Sequence, residues 1–134
     1  MRQIKFIVAH CTATDQDAKV SSILKYWKER LGWKNVGYHY LIDKDGHIHQ
    51  LADESQVTNG VRGYNSNSIH VSYIGGRLKD DRTDMQKAMM LGLMKDLKSR
   101  YPDAVIQGHR DFLQRGKPGW KECPRFDAKE EYNF

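Results

Sequence analysis

The chain has 134 residues, with 22 lysines and arginines against 17 acidic residues, a formal net charge of +5 and two cysteines. That length supports one compact domain and leaves too little chain for two independent cores, and 39% hydrophobic with 29% charged residues is the balance of a soluble globular protein rather than a membrane or disordered one. Cys11 and Cys123, spread across nearly the whole chain, read as two thiols rather than a disulfide framework, while the basic charge suits nucleic acid, the anionic bacterial wall, or solubility alone.

Residues 3–9 (QIKFIVA) alternate and then become continuously apolar, the pattern of a strand entering a core. The run Phe6 to Ala9 is too short for the core of a secretory signal, so no export sequence is read and a cytoplasmic location is expected. Residues 20–31 place Val20, Ile23, Leu24, Trp27 and Leu31 on one helical face, with Gly32 as a stop. The segment GYHYLIDKDGHIHQL reads as a hairpin turning at Lys44-Asp45-Gly46. Residues 69–74 (IHVSYI) form a further strand closed by Gly75 and Gly76. Thr83 and Gln86 make a capping-box pattern, which predicts a helix with an apolar stripe through Met90, Leu93, Met94, Leu97 and Tyr101. Pro102 ends it, and residues 104–107 (AVIQ) give a short strand leading into GHRD. From Phe112 to Pro124 the chain is rich in Gly, Pro and Lys, a long loop of the kind that carries function. This order predicts a single α/β domain over residues 1–134, with a mixed central β-sheet flanked by helices.

Three potential metal ligands fall at predicted strand ends or just beyond: His10, His109 and Cys123. Two imidazoles and a thiolate would leave a fourth zinc position open, as catalytic sites do, although ligands this far apart have no diagnostic spacing. A rival pair, His47 and His49, shares one face of the hairpin at i and i+2, but two polar residues on a solvent face is the preferred reading. His39 fits either a buried or an exposed position, and His70 reads as a strand residue beside Ser72. Cys11, next to His10, should point away from it as a small buried thiol.

Five segments then occur in order: AHCTAT at 9–14, GWKNVGYHYLIDKDG at 32–46, GYNSNSI at 63–69, GHRD at 108–111 and KECPRFD at 121–127. Together they resemble the zinc-dependent N-acetylmuramoyl-L-alanine amidases, in particular the short amidase-type lysozymes of tailed phages, whose superfamily includes the peptidoglycan recognition proteins. The resemblance covers the chain from Lys5 to about Tyr132. It implies that fold, with His10, His109 and Cys123 as ligands of Zn2+. Tyr38 matches a tyrosine beside the attacking water, and Lys121 matches a lysine implicated in catalysis. The implied substrate is peptidoglycan or a muropeptide, cut between the lactyl group of N-acetylmuramic acid and the first L-alanine of the stem peptide.

A phage or prophage endolysin is expected, acting as a monomer on the wall once the membrane is permeabilised. No membrane partner is expected, and nucleic acid is disfavoured because the charges are spread along the chain without a reading motif. The competing function is a recognition module that holds muropeptide without cutting it, and the presence of Cys123 favours the enzyme. Asp111 is a candidate to orient His109, an ion pair with Arg110 or Arg115 being the other reading. Asn65, Asn67 and Ser68 support either the cleft loop or local turns. The chain departs from relatives at Gly60, where a histidine often stands nearby, and at His70, where the strand often opens with glycine. Neither departure is expected to touch the ligands.

Overall fold

The alternation of one strand lays out the molecule. In the computed structural model of the protein, which describes residues 2–118 and 120–134, β1 (Phe6–Cys11) lies between two parallel partners. The others are β2 (Tyr40–Ile42), β3 (Ile48–Gln50), β4 (Ser68–Tyr73) and β5 (Val105–Gly108), in the order β3-β2-β4-β1-β5. Only the β2–β3 hairpin is antiparallel, so the sheet is mixed as expected.

Successive side chains of a strand point to opposite faces. Ile7 and Ala9 of β1, with Ile69, Val71 and Tyr73 of β4, face one way and pack against α2 (Asp84–Arg100). Met90, Met94 and Leu97 supply the helical side of that core, all fully buried. The predicted capping box is formed: the Gln86 backbone N–H donates to Thr83 Oγ1 at 3.1 Å, and Gln86 Oε1 accepts from the Thr83 N–H at 2.9 Å. A short helix (Ala128–Glu131), for which the sequence carries no periodic signal, adds Ala128 to this core, followed by Tyr132.

The opposite face meets α1 (Val20–Lys25), which continues as a π-helical turn over Tyr26–Arg30. Ile23 and Trp27 are buried there against Leu41 and Ile74. The wider π turn shifts the register of the residues after it. Leu31, expected on the buried stripe, is therefore 43% exposed. On this same face β1 carries His10 and β4 carries His70 and Ser72, all buried. A row of polar residues inside two central strands is costly unless each is partnered, and it marks the side of the sheet where the site lies.

Candidate metal centre

His10 is the penultimate residue of β1, and His109 comes directly after β5, the parallel neighbour of β1. Parallel strands end on the same edge, so the two imidazoles meet, with ring centroids 5.0 Å apart. Cys123 returns to the same edge from the long loop. Its Sγ lies 3.6 Å from Nδ1 of His10, and the ligand atoms of His10, His109 and Cys123 all fall within 4.8 Å of one another. The three expected ligands are thus brought together.

Several contacts hold the loop in place. Tyr73, rooted in the core, donates its hydroxyl to the Pro124 carbonyl at 2.8 Å, and the Arg110 N–H donates to the Cys123 carbonyl at 2.9 Å. Gly108 permits the approach, because a Cβ there would lie 2.7 Å from Cδ of Pro124. Behind the loop, the buried Arg82 pairs with Asp80 at 2.9 Å and Glu131 at 2.7 Å while lying 3.5 Å over the Phe126 ring. Except for the Arg82–Asp80 pair, these anchors join residues well separated in sequence, so no local pattern announces them.

The electrostatics suit metal binding. Burial, then the neighbouring His70 and His109, hold His10 well below the usual imidazole range, and burial with the Lys121 charge draws His109 down to about 4. Both rings are therefore neutral, with lone pairs to offer. Burial pushes the Cys123 thiol well up, so a thiolate there calls for a cation beside it. The Cys11 backbone N–H already donates to Cys123 Sγ at 3.2 Å. Two nitrogens and one sulfur match a borderline-soft divalent ion rather than magnesium or calcium. Cys11 itself is buried in the α2-facing core, as expected from its alternation with His10.

Tyr38 lies beside the cluster, its ring centroid 4.9 Å from that of His10 and its hydroxyl donating to the Cys11 carbonyl at 3.2 Å. Trp27 packs edge-on against it at 5.3 Å and fixes the loop that carries it. Burial, with the two nearby thiols, raises its pKa, so the phenol stays protonated. Lys121 is exposed at the cleft rim, where its charge reaches both His109 and Cys123. The cleft has a volume of about 1060 Å³. Its aromatic walls include Trp33, Tyr64 and Trp120, three residues that nothing in the local sequence marks as cleft-lining.

Other candidates are placed elsewhere. Asp111 neither orients His109 nor forms an ion pair with Arg110 or Arg115 among the described residues; its Oδ2 accepts the Gly108 N–H at 2.7 Å and closes its own turn. Arg110 pairs with Glu122 instead, at 3.4 Å. His47 and His49 stay on the hairpin, away from the cluster, and both turn toward the Asp43 carboxylate, at 3.6 and 2.9 Å. His39 is buried, donating from Nε2 to the Gln56 carbonyl at 2.7 Å. Asn65 holds the cleft loop, whereas Asn67 donates to Gln3 and Ser68 to Tyr64. One expectation is overturned: His70 does touch an expected ligand, with Nδ1 2.8 Å from Nε2 of His10. The signal was the polar pair His70 and Ser72 at i and i+2, alternating with Ile69, Val71 and Tyr73.

Comparison with known proteins agrees with this fold. The family described as N-acetylmuramoyl-L-alanine amidase matches residues 1–126. The endolysin of Klebsiella phage KP32 is 35% identical over 130 residues, covering 92% of this chain and 82% of that protein. Among solved structures, the N-acetylmuramoyl-L-alanine amidase LysC from Clostridium intestinale URNW superposes with a TM-score of 0.80 at 26% identity, over 98% of this chain and 87% of that one. The Ph2119 endolysin from Thermus scotoductus MAT2119 bacteriophage Ph2119 shares the fold with a TM-score of 0.85 at 24% identity, over 98% and 86%.

Proposed function

The chain belongs to the N-acetylmuramoyl-L-alanine amidase family, and from that premise we propose that His10, His109 and Cys123 hold one zinc ion at its catalytic centre. It is a peptidoglycan amidase of the phage endolysin type, hydrolysing the amide between the lactyl group of N-acetylmuramic acid and L-alanine. The convergence of three ligand atoms within 4.8 Å at the floor of the cleft carries the metal reading.

Bound there, zinc supplies Lewis-acid chemistry, bringing the pKa of water toward about 7 and polarising a carbonyl. The chain's own residues supply the rest. The cleft receives the glycopeptide between aromatic walls, and the neutral imidazoles of His10 and His109 keep the site from carrying competing positive charge. As the amide is attacked, negative charge develops on its oxygen, and the Lys121 ammonium stabilises it. The Tyr38 phenol, kept protonated by burial, acts as a hydrogen-bond donor rather than a base, its one proton turning from the Cys11 carbonyl to the charged oxygen.

Residues 1–134 form one catalytic domain in this reading, supported by a single continuous sheet. No described helix is long and apolar enough to cross a membrane. The endolysin relatives support a protein held in the cytoplasm that meets the wall after the membrane is breached.

Metal analysis of the purified protein should give one zinc per chain, and Cys123→Ser should lose it, since a neutral hydroxyl is a poor zinc ligand. Digested sacculi should show free L-alanine amino termini and intact glycan strands by mass spectrometry. Full activity after verified removal of all metal would sink the zinc assignment.

A further inference from the structure

His70 has no part in the chemistry above, yet it is fully buried and bonded to a ligand. Its Nδ1 meets Nε2 of His10 at 2.8 Å, and its Nε2 meets Oδ1 of Asn65 at 2.9 Å. The protons in this chain can be placed by elimination. Asn65 Oδ1 also accepts the backbone N–H groups of Gly60 and Val61, at 3.0 and 2.7 Å, which identifies it as the amide oxygen. His70 must therefore donate from Nε2. A buried ring with no carboxylate bonded to it is neutral, so Nδ1 of His70 is an acceptor. His10 must then donate from Nε2, and its lone pair falls on Nδ1, the atom facing Cys123 Sγ at 3.6 Å.

Room for this arrangement comes from Gly60. A Cβ at that position would lie 2.3 Å from Nδ1 of His70. The two positions are thus coupled: the imidazole occupies the space that any other residue at 60 would claim. Because Asn65 also pins the backbone of residues 60 and 61, which line the cleft, the turn and the ring are held by one amide oxygen.

We propose that His70, held by Asn65 and accommodated by Gly60, is a positioning residue for the metal centre. It fixes His10 as the Nε2–H tautomer and aims Nδ1 at the metal. An imidazole ligand whose other nitrogen donates a hydrogen bond is both oriented and made a better donor. This inference rests on the metal reading above, and the tests separate the two.

Long-range proton–nitrogen correlation of the histidine rings in the unsubstituted protein should find Nε2 protonated in both His10 and His70, with and without zinc. Protonated Nδ1 on either ring would overturn the proposal. Zinc affinity, measured by competition with a chromophoric chelator, should fall about 10- to 100-fold in His70→Leu. His70→Asn should recover most of that loss, because its amide oxygen can stand in for Nδ1 as acceptor. Gly60→Ala should also weaken zinc, by displacing the ring without altering any bonded side chain. Unchanged zinc affinity in folded His70→Leu and Gly60→Ala proteins overturns the positioning role. A parent protein that binds no zinc removes the metal reading instead, and the ring tautomers of that protein still decide whether the relay exists.

Discussion

Tyr38 and Lys121 are held to different degrees, and that difference shapes what each contributes. Tyr38 is wedged between Trp27 and His10, whereas Lys121 stands exposed at the cleft rim on a flexible four-carbon stem. Tyr38→Phe keeps the ring and removes only the hydroxyl, which bonds the Cys11 carbonyl. Lys121→Ala removes a charge from the neighbourhood of two proposed ligands. Neither is one of the proposed metal ligands, so both variants should keep the zinc content of the parent. Loss of one donor to a developing oxyanion costs about two to three orders of magnitude in turnover, and assays on purified muropeptide should show losses of that size. Near-parental turnover in both would mean that the charge on the amide oxygen is met by other groups. The sequence reaches these two residues only through the family resemblance. Alone, Tyr38 reads as a core aromatic and Lys121 as a solvated charge, because nothing local to either residue records what lies across the cleft.

At the scale of elements, α2 is the most legible part of the chain. Its cap and its stripe are both local patterns: Thr83 and Gln86 lie three residues apart, and Met90, Met94 and Leu97 recur at helical spacing. The helix is also where the α2-facing core can be weakened without approaching the cleft. Met94→Ala should cost about 2–5 kcal/mol, the range for deleting a fully buried side chain of that size. Leu91→Ala on the exposed side of the same helix should change stability by about 0.5 kcal/mol or less. Urea unfolding of the two variants checks the contrast, and similar losses in both would mean that the exposed face is covered. The first helix is less legible, since the pattern that predicts a regular stripe through Leu31 does not foretell a π turn at Tyr26–Arg30. That turn leaves Leu31 to line the cleft.

Across the whole molecule, the stretch between β3 and β4 is tied down at Glu54. Its carboxylate accepts a two-pronged bond from Arg100, at 2.6 and 2.8 Å, together with the hydroxyls of Tyr40 and Tyr101. Its carbonyl accepts from Arg2, so one residue joins the amino-terminal segment, β2 and the end of α2. The Arg100 bond, with those of the two tyrosines, lowers the Glu54 carboxyl from 4.5 to about 2. A carboxyl depressed in the folded state stabilises the protein fully above its unfolded pKa and loses that contribution as pH falls through the folded value. Thermal stability should therefore decline between about pH 4.5 and 2, and Glu54→Gln should be less stable than the parent at neutral pH but flatter across this window. Parallel pH profiles would refute the linkage. The sequence by itself determined the elements whose signals are local: the first strand, the hairpin, the capped helix and the mixed α/β order. It also held the proposed ligand residues, but only as separate positions made meaningful by resemblance. The tertiary structure alone decided that β1 and β5 end side by side, that Cys123 folds back between them, and that His70 reaches His10. Those contacts depend on strand order and register, which bring together residues 60 to 113 positions apart, a separation over which no periodicity in the chain carries information.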